Sequence, residues 1–187
     1  ALHFEHTRRM APDRFVALGV DYLRKAGIAT AGPQDSKVRE ALLTVREKGR
    51  LFSDLPKQSW TGFYFMPADQ IDIPQDVQMK ALTPQYVNNL NLLASEYSQI
   101  APSAFNADTA EKLLKQKATE TNQKVSAFVQ PLRAAITGSL IGPGLYQATG
   151  VLGRDEVLAR IEHAKKIAGG GPIIYSPPAG IAPQAQG

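Results

Sequence analysis

His3 and His6 stand three residues apart, the spacing that brings two imidazoles onto one face of a helix, where they could share a metal ion. No third ligand stands near them, and two exposed terminal side chains account for the pair equally well. His163 sits in a polar stretch near the end of a helical pattern and reads as solvated or capping. Asp155, Glu156 and Glu162 lie at the start or on the outer face of that same pattern, where the helix dipole and solubility explain them. The chain has no GxxxxGK[ST] phosphate loop, no GxGxxG after a strand and no HExxH, so the common nucleotide and zinc signatures are missing. It also has no cysteine to serve as thiolate, disulfide partner or zinc ligand. No catalytic constellation emerges.

Two stretches suggest binding rather than bond making. Gly138-Ser139-Leu140-Ile141-Gly142-Pro143-Gly144-Leu145-Tyr146 places three glycines and a proline between two helical patterns. Such a segment lets backbone approach a ligand closely, and the helix start after it presents unpaired N–H groups. An ordinary helix–helix turn uses the same residues. Arg133, ten residues before Pro143 on an otherwise apolar helix, tilts the balance toward an anion contact. The second stretch is Trp60, Phe63, Tyr64 and Phe65, four aromatics in six residues. They could stack unpaired bases, but a small helical module needs that area for its core, and core packing is the better reading.

The elements that must position these residues are helices. Pro12 and Asp13 open one that carries Phe15, Leu18, Val20, Tyr22 and Leu23 and stops at Gly27. Asp35 or Ser36 caps a second, with Val38, Leu42, Leu43 and Val45 at helical spacing and Arg39, Arg46, Lys48 and Arg50 largely on the other side. Ser53 is placed to cap a short helix bearing Leu55 and the aromatic group. Thr83-Pro84 is a hydroxyl cap followed by proline, ahead of Val87, Leu90, Leu93 and Tyr97. Asn106 and Asp108 precede 110–118, and 124–137 and 154–167 continue the pattern. No stretch alternates as a strand does. The expected fold is all-α: seven or so helices in two small subdomains, divided at the Pro- and Asp-containing stretch 66–74. The expected domains are 1–70 and 71–168, followed by a flexible tail at 169–187 that holds five Gly and four Pro.

The 187 residues suffice for one ordinary domain or two small ones, and 43% hydrophobic with 20% charged residues is the composition of a folding, water-soluble chain. The net charge of +4 is too small to identify a partner. Its distribution is more informative: ten basic against six acidic residues in 1–50, two against five in 51–100, and nine against six in 101–187. Two basic ends thus flank an acidic middle. No apolar run approaches the length of a membrane span or signal peptide, and with no cysteine the cytoplasm is the expected compartment. An Ala rather than a Met at position 1 is expected of a processed chain or a piece of something longer.

The run Lys124-Val125-Ser126-Ala127-Phe128-Val129-Gln130-Pro131-Leu132-Arg133-Ala134-Ala135-Ile136-Thr137-Gly138-Ser139, then Gly142-Pro143-Gly144-Leu145, then Leu152-Gly153-Arg154 and Ala159-Arg160-Ile161, strongly resembles the C-terminal end of bacterial glutamyl-tRNA synthetases. Residues 45–55 resemble the same family more loosely, and the likeness spans most of 10–168. It implies an α-helical cage that grips the anticodon arm of tRNA, without the Rossmann-type domain that binds ATP, glutamate and the acceptor end. ATP and Mg would then belong to the full-length enzyme, this chain would hold no cofactor and catalyse nothing alone, and its partners would be tRNA(Glu) and, as a second candidate, tRNA(Gln).

By resemblance, Arg133 matches a family arginine that reaches the anticodon, Gly142 and Leu145 match loop positions that touch its bases, and Lys115 and Val125 fall at further contacts. Lys115 replaces an arginine. The family arginine that reads an anticodon base aligns with Lys48, a departure that exchanges a two-pronged donor for a point charge. Arg46 or Arg50 would compensate through a shifted register, or the anticodon would be read less strictly. A monomer is expected. The competing readings are a free-standing RNA-binding or regulatory module of the same fold, and a helical protein-interaction scaffold.

Overall fold

Residues 7–28, 31–48 and 51–169 are described by a computed structural model, and among them no strand occurs. Helix α1 (Pro12–Lys25) begins with proline at its first position and ends just before Gly27, whose φ of +78° turns the chain out of the helix. Helix α2 (Ser36–Arg46) is capped by Asp35, whose carboxylate accepts from the Val38 amide at 3.0 Å. The two pack tightly: a Cβ on Gly19 would lie 2.8 Å from a methyl of Leu42. Phe15, Val16, Val20, Leu23, Val38, Leu42 and Val45 form a first core with Leu55 and Trp60. The basic side of α2 is only partly a free face. Arg39 pairs with Asp13 at 2.7 Å and the Arg46 Nε donates to the Met10 carbonyl at 3.0 Å, so both tie α2 to the α1 region.

The short helix expected from Ser53 does not form. Residues 51–70 make three separate 3-10 turns, Phe52–Asp54, Gly62–Phe65 and Ala68–Gln70. The physical reason is the destination of the rings. On a helix, Trp60, Phe63 and Tyr64 would share one face. Here Trp60 enters the first core while Phe63 and Tyr64 enter the second, so the backbone must turn between them. Gly62 makes that possible, because a Cβ there would meet the Pro56 carbonyl oxygen at 2.6 Å.

The second core gathers α3 (Gln75–Ala81), α4 (Pro84–Ser98), α5 (Ala107–Glu120), α6 (Ser126–Thr137), α7 (Leu145–Leu152) and α8 (Arg154–Ala168). Thr83 caps α4 as the sequence predicts, and Asn106, of the two polar residues ahead of α5, is its cap. Pro131 lies inside α6, where its missing N–H leaves the Ala127 carbonyl without its helical donor. Asn89, fully buried on α4, replaces that donor at 2.9 Å and exchanges two amide hydrogen bonds with Gln123.

Two polar side chains expected at the surface are structural. His163 hydrogen-bonds the Ile71 carbonyl through Nε2 at 2.9 Å. Glu156 accepts from Arg160 Nε at 2.9 Å. Arg160 itself is 1% exposed, donating to the carbonyls of Ile136 (2.8 Å), Phe63 (2.7 Å) and Met66 (2.8 Å). It joins α8, the end of α6 and the aromatic turn at one point. Among the described residues no helix is long and apolar enough to cross a membrane.

Candidate nucleic-acid interface

The loop between α6 and α7 is a braced structure. Helix α6 ends at Gly138 in the left-handed region (φ +68°), and the Gly138 amide closes on the Ala134 carbonyl at 2.8 Å. The Thr137 hydroxyl bridges the Arg133 and Ser139 carbonyls, and the Ile141 amide donates to the Ser139 hydroxyl at 3.2 Å. At its far end the Pro143 carbonyl accepts from Arg133 Nη1 at 2.8 Å. The loop rests against the turn at Gln58 and Ser59. A Cβ on Gly138 would overlap the Asp72 carbonyl and the Gln58 amide, and one on Gly142 would lie 2.7 Å from the Ser59 carbonyl oxygen. Both positions are therefore close approaches of backbone to backbone. Ile141, 60% exposed, forms the tip.

Around this loop the structure assembles one patch. Arg133 is half-buried, and burial lowers its guanidinium pKa from the ordinary value; its Nε and Nη2 make no hydrogen bond among the described residues. Tyr146, in the first turn of α7, lies in the electrostatic field of Glu111, Lys115 and Arg133, and burial raises its hydroxyl pKa. Lys115 projects from α5 in an i,i+4 ion pair with Glu111 at 2.5 Å, which raises the ammonium pKa. Donors on α5 and α6 thus converge on the N-terminal end of α7, whose first amides have no partner within the helix. An arginine with two free donor nitrogens, a lysine held by one exchangeable carboxylate and an exposed aliphatic tip suit an unstacked nucleotide: charge for phosphate, donors for base edges, an apolar surface for a ring.

The other candidate residues distribute as follows. Gly142 is in the loop. Leu145 is 4% exposed, its side chain in the second core and closed to a ligand. Val125 is 38% exposed at the start of α6. Lys48, just past α2, is exposed and has no ion pair among the described residues. Arg46 is committed to Met10 and, through Nη1, to Glu47 at 3.0 Å. Arg50, His3, His6 and the tail from 170 onward lie outside the described residues. Among those described, no three His, Cys, Asp or Glu side chains come together as a metal site.

Residues 14–165 match the family model described as an anticodon binding domain. The chain belongs to the anticodon binding domain family. Within it, the chain is 30% identical over 168 residues to the glutamate–tRNA ligase of Herpetosiphon aurantiacus, covering 87% of this chain and 33% of that protein. It is 32% identical over 141 residues to glutamate–tRNA ligase 2 of Caldicellulosiruptor saccharolyticus, covering 75% of this chain and 28% of that protein. The chain spans about a third of the length of the curated relatives it matches. The fold matches a crystal structure of glutamate tRNA ligase from Elizabethkingia meningosepticum in complex with its amino acid, with a TM-score of 0.73 at 17% identity over 88% of this chain and 31% of that one. The chain is an anticodon-binding domain, and a domain of this family binds tRNA.

For three residues that shape the site the sequence does not show the partners. Gln58 and Arg160 act through carbonyls far away in the chain, and Tyr146 closes the loop motif without any motif marking it as part of the charged patch.

Proposed function

We propose that this domain serves a glutamate–tRNA ligase by holding the anticodon arm of tRNA(Glu), with tRNA(Gln) as the second substrate to test, while another part of the ligase uses ATP and Mg to join glutamate to the acceptor end. The observation that carries the reading is the braced loop with Arg133, Lys115 and Tyr146 around it, inside a chain whose family is anticodon-binding. The proposed contacts are Arg133, Gly142, Leu145 through its backbone, Lys115 and Val125 from the second core, and Lys48, with Arg50 beside it, from the first. Arg46 takes part only by giving up its bond to Met10. The domain acts as a monomer in the cytoplasm, holds no cofactor and has no activity alone.

Phosphate contacts by lysine and arginine release counterions, so affinity should fall steeply with salt, by a logarithmic slope of about −0.7 for each single-stranded phosphate neutralised. Filter binding of the 187-residue chain to tRNA(Glu), tRNA(Gln) and an unrelated tRNA, across a salt series, tests this. The expected result is preferential binding of one or both candidates with a negative salt slope. Equal affinity for all three, insensitive to salt, overturns it.

A further inference from the structure

We infer that Gln58 is a positioning residue for tRNA recognition, seating the α6–α7 loop against the joint between the two cores; the inference rests on the anticodon reading above. The Gln58 side chain makes three hydrogen bonds to two segments remote in sequence. Its Nε2 donates to the Thr137 carbonyl at 2.9 Å and the Asp72 carbonyl at 2.8 Å, and its Oε1 accepts from the Asp72 amide at 3.2 Å. Thr137 is the last residue of α6, so its carbonyl has no helical donor, and Gln58 supplies one.

The seat is rigid because its own backbone is held. The Gln58 carbonyl accepts from the Phe63 amide at 3.2 Å, and the Trp60 amide donates to the Lys57 carbonyl at 3.0 Å. Trp60 is anchored in the first core and Phe63 in the second, so this turn is where the two units are registered to each other. Gly138 and Gly142, at the two ends of the loop, both press backbone against this seat or its Asp72 partner. Gln58 therefore determines where the loop stands relative to the first unit, and so the spacing between the Arg133 patch and Lys48. It touches the tRNA only through the loop it places.

Gln58→Glu keeps the shape and the acceptor but turns a carboxylate toward two carbonyl oxygens. Gln58→Lys keeps donors and loses the acceptor. In the free 187-residue chain, hydrogen exchange at the Ser139 and Ile141 amides should rise about tenfold in Q58E, much less in Q58K, with amides in the middle of α4 unchanged in both. Binding of tRNA(Glu) should weaken about tenfold in Q58E and be largely restored in Q58K. The Arg133→Ala loss should shrink in the Q58E background, because both act on one loop, whereas plain destabilisation would leave the two losses multiplicative. Loop exchange in Q58E equal to wild type, or multiplicative losses, overturns the inference. Should Q58E fail to fold, Q58K carries the decision: loop exchange and tRNA affinity near wild type support the donor-based seat, and loop exchange raised as much as in an unbraced loop refutes it. Absence of tRNA binding by the wild-type chain defeats the anticodon reading instead, and the exchange measurement in the free protein still decides whether Gln58 seats the loop.

Discussion

Replacing Arg160 with Met should destabilise the domain by about 3 kcal/mol. Methionine preserves most of the apolar stem, so the perturbation is concentrated on the guanidinium. That group donates to three carbonyls and to Glu156. Ile136 lies in the last turn of α6, and its oxygen has no other donor among the described residues; the Met66 oxygen is in the same position, while Phe63 retains a long 3.4 Å bond from the Met66 amide. Two orphaned carbonyls at about 1.5 kcal/mol each, plus about 1.5 kcal/mol for the charge-assisted bond to Glu156, give roughly 4–5 kcal/mol. Removing a buried cation offsets part of this, since burial lowers the Arg160 pKa by disfavouring its charged form. The expected net is about 3 kcal/mol, equivalent to a fall in Tm of roughly 6–12 °C for a chain of this size. Urea denaturation followed by circular dichroism measures the first and a thermal scan the second. Arg160→Lys, which can reach only some of these oxygens, should lose less than Arg160→Met. A loss below about 1 kcal/mol for Arg160→Met would show that the carbonyls find other partners, and would refute the reasoning.

Four further outcomes are expected. Arg133→Ala should reduce tRNA(Glu) affinity about tenfold in filter binding while costing only about 1 kcal/mol of stability, the value of its one bond to the Pro143 carbonyl; parallel losses of helicity and binding would contradict it. Gly138→Ala should be far worse, costing more than 2 kcal/mol, because φ is +68° and the added Cβ would overlap the Asp72 carbonyl; a urea midpoint equal to wild type would contradict that. Tyr97 is buried and its hydroxyl pKa is raised by burial, so it stays protonated in the fold after an unfolded tyrosine would ionise. Its stabilising contribution is thus complete below about pH 10 and declines above it by up to about 1.4 kcal/mol per pH unit; Tyr97→Phe, though about 1 kcal/mol weaker at pH 7 through loss of its bond to Ala110, should show a shallower alkaline decline in urea titrations from pH 9 to 11. In the glutamate–tRNA ligase proposed above, Lys48→Arg should sharpen discrimination at one anticodon base by supplying a two-pronged donor, and an unchanged ratio of turnover on competing tRNAs would count against that register.

Helices α4, α5 and α6 of the second core are legible because the signals at their ends are local, whereas the short α3 carries no such cap and is not read from the sequence. Thr83, Asn106 and Gly138 act within four residues of themselves, and side-chain caps and left-handed glycines need no tertiary partner to be recognised. The aromatic turn is not legible in this way. Trp60, Phe63 and Tyr64 have helical spacing, and only the presence of two cores on opposite sides forces the backbone to break between them. The basic side of α2 likewise contains charges already spent inside the fold, since Arg39 and Arg46 point back to the α1 region while Lys48 does not.

For the site, residue type and spacing by themselves determined the loop, its glycines, the nearby Arg133 and the all-α frame, because each depends on the backbone freedom or apolar periodicity of residues close in the chain. Only the tertiary structure decided that Leu145 turns inward, that Tyr146 and Lys115 join Arg133, and that Gln58 and Arg160 hold the end of α6. The roles of Gln58 and Arg160 depend on which orphaned carbonyl meets which donor across more than twenty residues of intervening chain. A sequence states the inventory of donors and acceptors, whereas their pairing is settled by packing.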